Sequence, residues 1–468
     1  MKEEQTMKTI AKQAIVIGAS MGGLLAARAL ADYYQQVTVL ERDIFPLPGK
    51  NRKGVPQDRH AHGLSSRGRE VLEQLFPGIT EELKAQGALS ADLLQQTRWF
   101  NNGGYLYQKS QSDLIGLFVS RPLLEAQVRK RLLSLPNIKV IENCDVLGLL
   151  TTPDHTRIVG VRLIHHRADG SSESALNADL VVDATGRRSQ SPVWLEKLGY
   201  EKPQEQQVHV GIGYMTRIYR RRPEHLQGDL STVVSPSLPN WRYGIILAQE
   251  GDRWIVTIGG YLGDHAPTDE KGFLEFAKSI PAQEIYEVIK DAEPLSELLP
   301  YKFPANQRHH YEGMACFPED YLVFGDAICS FNPIYGQGMT VAALESLALQ
   351  NCLAQGSQNL RVRFFKEAGK VVDIPWSIAV NNDLRIPQVE GTRSLRVRFL
   401  NWYISKLQVA ARRDRVVASA FLQVTNLMAS PKSLMHPRIS LRVLWGNLLR
   451  LGIPRAVKYS LPLRTAKS

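Results

Sequence analysis

Apolar and polar positions follow different periods in different parts of this chain. Residues 14–17 form a short apolar run, positions 24, 25, 27 and 30 are apolar at helical spacing, and residues 37–40 form a second run. This order predicts a strand, a helix and a strand in one βαβ unit. A further run at 321–324 leads through a glycine-rich turn into a helix that begins near Met339. The pattern therefore predicts two strand-to-helix corners that are far apart in sequence.

The pattern changes between about residues 190 and 300. Alternating segments at 208–220 and 243–262 predict antiparallel strands, and 270–280 and 284–292 predict two short helices. We expect four aromatic residues here to belong to the core rather than to a pocket: Trp241, Tyr243, Trp254 and Tyr261. The chain thus divides into a discontinuous first domain (1–190 and 301–392), a middle β-sheet domain (191–300) and a basic helical C-terminal region (393–468).

The net charge of +11 is concentrated near the C-terminal end. Residues 393–468 contain 15 Lys and Arg and the single acid Asp414. Residues 395–428 lack Pro and Gly, which predicts one or two helices, and a second basic segment follows Pro431, with apolar Leu441, Leu444, Trp445, Leu448 and Leu449. Such helices either dock on the rest of the protein as a cap or contact an anionic membrane surface. Nucleic-acid binding is not expected, because no aromatic or modular signature accompanies the charge.

Length and cysteine usage restrict the class of protein. The 468 residues are 44% apolar, which is enough for two or three well-packed domains. The four cysteines form no CxxC pair, which is typical of a reducing compartment, so we expect a cytoplasmic protein. No apolar run reaches 18 residues, so no membrane-spanning helix is expected. His60 and His62 lack a third ligand at suitable spacing, and no metal site is predicted.

The first corner, GASMGG, has the glycine pattern of a phosphate-binding turn. Gly18 permits a tight turn, Gly22 allows the backbone to approach a pyrophosphate, and Gly23 allows the helix to pack on the strand. Backbone N–H groups at the helix start, around Ser20 and Met21, point toward such an anion. The first corner therefore predicts dinucleotide binding.

Each corner also carries an acid at the end of a strand. Glu41 ends the second strand, where a carboxylate accepts hydrogen bonds from ribose hydroxyls. Asp326 follows the strand at 321–324, and an unpaired carboxylate there is too costly to serve the core. Beside a cofactor, it can accept hydrogen bonds from a sugar-alcohol chain.

The second corner is the stretch GDAICSFNPIYGQGM. Its turn presents backbone N–H groups and a positive helix end to a flat, electron-rich group, as a reduced flavin would be. One FAD molecule would then span both corners. The cofactor-binding residues predicted at the second corner are Gly325, Asp326, Pro333, Gly336, Gln337, Gly338 and Met339.

Between the two corners, the chain contains the motifs RKGVPQDRHAHGL, SRPLLEAQV, ADLVVDATGRRS and GDRWIVTIGG, in this order. The chain resembles FAD-dependent aromatic-hydroxylase-like (class A type) monooxygenases, and more narrowly bacterial polyether-type flavin epoxidases. The resemblance implies an α/β fold: a Rossmann-like FAD-binding domain of the glutathione-reductase type, with an inserted antiparallel substrate sheet and C-terminal helices.

The resemblance also implies roles for further residues. Arg42 would lie at the adenosine end, Arg52 would reach the pyrophosphate, and Arg121 would hold the cofactor backbone. Cys144–Val146 would end a strand, with Val146 contacting adenine through its backbone. Gln57 and Thr185 complete the predicted cofactor set.

The implied activity is oxygen transfer from a flavin 4a-hydroperoxide to an apolar or aromatic small molecule, by epoxidation or hydroxylation, as in secondary metabolism. Electrons would come from NAD(P)H or from a separate flavin reductase, because Thr185 stands where aromatic hydroxylases usually have an acid. No catalytic acid or base is evident; His60 is a candidate proton donor, or simply a hydrogen-bonded histidine. Two alternatives stay open, an FAD-dependent reductase or dehydrogenase of isoprenoid-type double bonds and a non-catalytic FAD-binding redox protein.

Overall fold

Short strands and helices alternate in the first part of the chain, and long antiparallel strands follow. A computed structural model describes residues 10–47, 50–52, 54–108, 110–167, 169–238 and 240–448. The strands are β1 (Ala11–Ile17), β2 (Tyr34–Leu40), β3 (Leu89–Asp92), β4 (Thr97–Asn101), β5 (Gly104–Tyr105), β6 (Ile115–Phe118), β7 (Ile138–Ile141), β8 (Cys144–Thr151), β9 (Ile158–Arg167), β10 (Gly170–Asn177), β11 (Leu180–Asp183), β12 (Gln204–Arg220), β13 (Ser231–Val234), β14 (Tyr243–Gln249), β15 (Arg253–Gly260), β16 (Leu299–His310), β17 (Tyr321–Val323) and β18 (Cys329–Ser330). The helices are α1 (Met21–Ala31), α2 (Ser66–Leu75), α3 (Ile79–Ala85), α4 (Leu93–Gln96), α5 (Arg121–Leu133), α6 (Ser191–Lys197), α7 (Glu270–Lys278), α8 (Glu284–Ile289), α9 (Gly338–Leu353), α10 (Leu360–Asp383), α11 (Leu395–Ala410), α12 (Arg415–Thr425) and α13 (Pro437–Leu448).

The predicted βαβ unit is present. β1 and β2 pair in parallel, and α1 joins them and buries its predicted apolar positions. The parallel sheet has the order β17-β11-β1-β2-β7. Strands from distant parts of the chain therefore lie side by side, and the main core lies between this sheet and the helices α1, α5, α9 and α10.

The middle sheet is larger than the sequence boundaries suggest. Its order is β18-β16-β12-β15-β14-β13-β4-β5, and it is antiparallel except where β13 pairs with β4. The sheet thus takes strands from outside residues 191–300, because β16 pairs along most of β12 and β4 pairs with β13. The two predicted short helices are α7 and α8.

The C-terminal helices pack on the rest of the protein. Residues 395–428 form α11 and α12, and α13 follows Pro431. Leu407 and Phe421 share an apolar cluster with Leu94 and Leu106 of the first domain. The docking interpretation of this region therefore agrees with the structure, although Leu449 and the remaining tail lie outside the described residues. Within the described ranges, every helix is too short or too polar to cross a bilayer.

Candidate functional site

The two glycine-rich corners meet at the carboxyl edge of the parallel sheet. Only β11 separates β1 from β17, and a Cβ atom on Gly325 would lie 4.0 Å from the Cα atom of Gly22. The helices that start at the two corners, α1 and α9, pack against each other. The prediction that the corners converge is confirmed, since parallel strands bring their carboxyl ends to one edge.

Different constraints favour glycine at the three glycine positions of the first corner. Gly18 has φ +96°, and a Cβ there would lie 2.8 Å from the carbonyl oxygen of Ala184. A Cβ on Gly23 would lie 1.7 Å from the carbonyl oxygen of Gly18, which no side chain can tolerate. A Cβ on Gly22 would meet nothing nearer than Phe324 Cδ1 at 3.9 Å. The protein's own packing therefore does not explain Gly22, whereas a closely approaching ligand does.

A buried ion-pair cluster lies behind the first corner. Arg52 is 5% exposed; its Nη2 lies 2.5 Å from Glu41 Oε2, and its Nη1 lies 2.6 Å from Glu125 Oε1. Glu41 Oε2 also accepts the N–H of Ala19 at 2.8 Å. The expectation that Arg52 reaches the pyrophosphate stays a prediction: these carboxylates hold its buried guanidinium, and its Nε has no hydrogen-bond partner among the described residues. The role of Glu41 at a ribose stays a prediction.

Arg121 is the cation that faces the first corner. It begins α5 after the N-cap Ser120, as predicted, and its Nη2 donates to Ser20 Oγ at 3.1 Å. Its Nη1 lies 3.1 Å from His62 Nε2, and its buried Nε lies 3.9 Å from Glu125 Oε2 and has no hydrogen-bond partner among the described residues. Arg42, by contrast, is exposed and donates to the carbonyl oxygen of Gly54. Arg121 therefore has free donor capacity for an anion at the corner.

The expectation that residues 144–146 end a strand is wrong. β7 ends at Ile141, the chain turns at Asn143 with φ +56°, and Cys144 begins β8. Val146 lies inside β8 opposite Leu163 of β9. The prediction failed because Asn143, in a left-handed conformation, separates β7 from β8. Residues 144–146 therefore begin a new strand and do not end the previous one.

Two histidines, His60 and His62, connect the segment before α2 to other parts of the protein. Gln57 is half-buried in a short 3-10 turn at Pro56–Arg59, and His60 Nδ1 lies 2.8 Å from Thr216 Oγ1. Burial lowers the pKa of His60 to about 4, and burial together with Arg121 lowers the pKa of His62 to about 3. Both rings are therefore neutral at pH 7. Across the described ranges, three or more potential metal ligands come together nowhere.

The second corner is held from behind by Glu345 of α9. Gly325 has φ +67° and donates its N–H to Glu345 Oε2 at 2.7 Å. The turn continues through Pro333 and Gly336, which has φ +63°. Gln337 is 3% exposed, and its Oε1 atom has no hydrogen-bond partner in the described part of the chain. α9 begins at Gly338, with Met339 buried in its first turn.

Asp326 follows Gly325 in the second corner, and part of its surface is accessible to solvent. Surrounding protein removes water from its carboxylate and raises its pKa, while Arg121 and Arg187 act in the opposite direction. Gly338 lies next to this carboxylate, since a Cβ there would be in ordinary contact with Asp326 Oδ1 at 3.7 Å. Among the described residues no hydrogen bond reaches the Asp326 side chain, so it can accept one from a ligand.

Thr185, which stands where aromatic hydroxylases usually have an acid, hydrogen-bonds to a neighbouring buried acid. Its Oγ1 and its N–H donate to Asp183 Oδ1 at 2.6 and 2.9 Å. Asp183 is fully buried and also accepts Ser189 Oγ. The DATG sequence therefore stabilises the turn after β11 through Asp183.

A large apolar cavity of about 1080 Å³ begins at the second corner. It extends from Pro333–Gln337 along the middle sheet to α11 and α12, which close its far side with Leu400, Ile404 and Phe421. Trp241, Tyr243 and Tyr261 line this cavity, whereas Trp254 is fully buried in the core. The expectation of core aromatics therefore agrees with Trp254, Tyr243 and Tyr261, which are all buried, although the two tyrosines also line the cavity; Trp241 is only half-buried in its wall.

Sequence patterns missed two buried acids that organise the second corner. Burial raises the pKa of Glu345 from 4.5 to about 8. Burial raises the pKa of Asp383 to about 6, although its carboxylate accepts hydrogen bonds from Tyr261, Asn306, Asn332 and Tyr335. An acid inside the apolar helical run AALESLAL was the available signal for Glu345. Asp383 had no comparable signal, because its four partners come from three separate segments.

Comparisons with known proteins agree with this architecture. No family model matches the chain. Among solved structures, PqsL of Pseudomonas aeruginosa, a probable FAD-dependent monooxygenase, covers 79% of this chain and 96% of its own (TM-score 0.58, 17% identity). The flavin-dependent brominase Bmp2 covers 94% and 100% (TM-score 0.64, 13% identity), and p-nitrophenol 4-monooxygenase PnpA of Pseudomonas putida covers 90% and 99% (TM-score 0.62, 16% identity). At these identities the likeness concerns the fold, which is that of FAD-binding monooxygenases with a Rossmann-like domain.

A closer relative in sequence is Protein Rv3254 of Mycobacterium tuberculosis, which is 34% identical over 470 residues. The alignment covers 97% of this chain and 98% of the relative, so it includes both corners, the middle sheet and the C-terminal helices. On this identity and coverage, the chain belongs to the same protein family as Protein Rv3254.

Proposed function

We propose that this protein is an FAD-dependent monooxygenase that epoxidises or hydroxylates an apolar or aromatic small molecule. One observation carries the proposal: two glycine corners converge beside unpartnered acceptors, and an apolar cavity begins at the same place. The residues fit FAD, since Gly22 leaves open space, Gln337 Oε1 is buried without a partner, and Asp326 is free to accept hydrogen bonds.

Each residue has a physical task in this arrangement. Gly22, Ser20 and Arg121 would hold the diphosphate through backbone N–H groups and a guanidinium. Asp326 would accept hydrogen bonds from the ribityl hydroxyls. Gly338 begins α9, whose positive end favours negative charge on the flavin ring. FAD, when bound and reduced, supplies the activation of O2 and the transfer of one oxygen atom to the substrate.

The cavity supplies orientation and exclusion of water. Its walls combine the aromatic face of the middle sheet with α11 and α12, and this supports an apolar substrate. His60 is neutral at pH 7 and donates or accepts a single hydrogen bond to Thr216, so its role as a proton donor stays a prediction. We propose two alternative sources of electrons, NAD(P)H or a reductase partner.

We also propose a cytoplasmic location, which suits the four free cysteines of the described chain. Peripheral membrane contact, the further expectation for the C-terminal helices, concerns a separate surface that is discussed below.

The test is incubation of the reduced holoprotein with polyenes, terpenes and phenols under ¹⁸O2, followed by mass spectrometry. Incorporation of one labelled oxygen supports the proposal, and the position of the oxygen distinguishes epoxidation from hydroxylation. A product that gains two hydrogens without oxygen consumption would instead identify a reductase of double bonds. Reoxidation of the flavin with no stoichiometric product across the panel would favour a redox protein.

A further inference from the structure

Helices α11 and α13 leave two neighbouring apolar stripes exposed. The side chains are unusually accessible for large apolar residues: Leu395 is 85% exposed, Trp402 56% and Trp445 66%. We call this surface the α11–α13 face, and it consists of Leu395, Phe399, Trp402, Leu441, Leu444, Trp445 and Leu448. The positions follow i, i+4, i+7 in α11 and i, i+3, i+4, i+7 in α13, which places each set along one side of its helix.

This face is additional to the buried sides of the same helices. α11 already buries Tyr403 and Leu407, and it lines the cavity with Leu400 and Ile404. α13 buries Ile439 and Val443. A helix that only caps the protein would carry polar residues on its outer side. The outer apolar stripes therefore need an explanation other than docking on the catalytic core.

The two helices are held side by side. Asn447 Nδ2 donates to the carbonyl oxygen of Lys406 at 2.9 Å, and Tyr403 Oη lies 3.2 Å from Ser440 Oγ. Gly446 allows close contact, because a Cβ there would lie 2.9 Å from the Cβ of Ala410. The stripes consequently belong to one packed unit.

The charge around the face selects the kind of partner. The same helices and the loop after α11 carry exposed cations at Arg398, Lys406, Arg413 and Arg438. The single acid of residues 393–468, Asp414, lies 2.8 Å from Arg442 in an ion pair. Tryptophan, leucine and arginine together are the composition that enters the interface of an anionic bilayer. A second copy of the chain would bring an equally positive face, which repels.

We propose that the α11–α13 face docks on the surface of a membrane that contains anionic lipids. The contact is peripheral, with the tryptophans at the headgroup level and the cations on lipid phosphates. Met435 lines the cavity and is also 40% exposed, so the cavity opens beside the docked helices. Docking itself is independent of FAD chemistry; only the delivery of an apolar substrate from the membrane rests on the proposed function.

The test is co-sedimentation of the full-length holoprotein with phosphatidylcholine vesicles, with and without about 30% phosphatidylglycerol. We expect binding to the anionic vesicles alone, and its loss at roughly 0.5 M salt. The double variant Trp402→Ser/Trp445→Ser should bind about tenfold more weakly or worse, because it loses the interfacial anchors. The matched control is Leu133→Ser/Val362→Ser, which removes two exposed apolar residues from α5 and α10 and should bind like wild type.

Melting temperature and flavin absorbance show that each variant is folded. The proposal is overturned if wild type does not bind anionic vesicles, or if the tryptophan variant binds them as wild type does. A concentration-dependent dimer that the tryptophan substitutions abolish, without vesicle binding, would overturn it as well, since a second copy would then cover the face. Vesicle binding without oxygen transfer would leave docking intact and would count against the proposed function alone.

Discussion

Substitution of the two neighbouring glycines at the first corner separates ligand binding from folding. A Cβ on Gly22 meets Phe324 Cδ1 at 3.9 Å, an ordinary contact, whereas a Cβ on Gly23 would lie 1.7 Å from the carbonyl oxygen of Gly18. Both glycines lie in α1, one residue apart, so they share their secondary structure. Gly22→Ala and Gly23→Ala are therefore a matched pair.

The first substitution should change mainly the affinity for FAD, and the second should change mainly the folding stability. In a helix, alanine is more favourable than glycine by roughly 0.5–1 kcal/mol, so the Gly22→Ala apoprotein should be at least as stable as wild type. If a diphosphate occupies the open side of Gly22, the added methyl group should raise the Kd for FAD about tenfold or more, which is about 1.4 kcal/mol. Gly23→Ala forces the helix off the strand and should cost about 3 kcal/mol or more of folding stability.

Two measurements decide the matter. Thermal unfolding of the apoproteins gives stability, and quenching of FAD fluorescence on titration gives affinity. The reasoning is refuted if Gly22→Ala binds FAD as tightly as wild type, or if it destabilises the apoprotein as much as Gly23→Ala does.

Two more predictions concern the second corner. Asp326→Ala should purify largely without flavin because it loses the ribityl acceptor. The control Asp291→Ala changes a carboxylate that is 79% exposed and should keep the flavin. Equal flavin absorbance per protein in the two variants would contradict the assignment. Burial raises the pKa of Glu345 from 4.5 to about 8, so the folded state holds this proton more tightly than the unfolded chain does. Its contribution to stability is present at low pH and is lost as the pH rises between these values. Glu345→Gln stays neutral and should lose less stability than wild type between about pH 5 and about pH 9 in urea unfolding; parallel pH profiles would show that Glu345 does not titrate as described.

Local patterns predicted the elements that carry local signals. The βαβ unit, the helix that begins near Met339, α7 and α8, and the helices after residue 395 all follow from short-range apolar spacing and from Pro and Gly. The N-cap serine before Arg121 was also visible in sequence. Patterns did not locate the end of β7, because a single left-handed residue, Asn143, decides whether a strand ends or restarts.

Side-chain partners were harder to predict than elements. Local patterns did not show that Glu125, more than seventy positions away, holds Arg52 inside the protein. Trp241, Tyr243 and Tyr261 were expected in the core, and the two tyrosines are buried, but local patterns did not show that all three also line a cavity closed by α11 and α12. In each case the deciding neighbour comes from a distant segment, and no local pattern contains it.

By itself the sequence determined that two glycine turns exist, that each follows a strand, and that an acid stands beside each, because turn geometry and strand periodicity are local properties of the backbone. Tertiary structure alone decided that the two turns meet, so that a Cβ on Gly325 would lie 4.0 Å from the Cα atom of Gly22, and that Glu345 supports the second turn from behind. It also decided that the basic tail both closes a cavity and exposes an apolar face. Contacts of this kind depend on how whole sheets and helices pack, and packing is set by all the segments together.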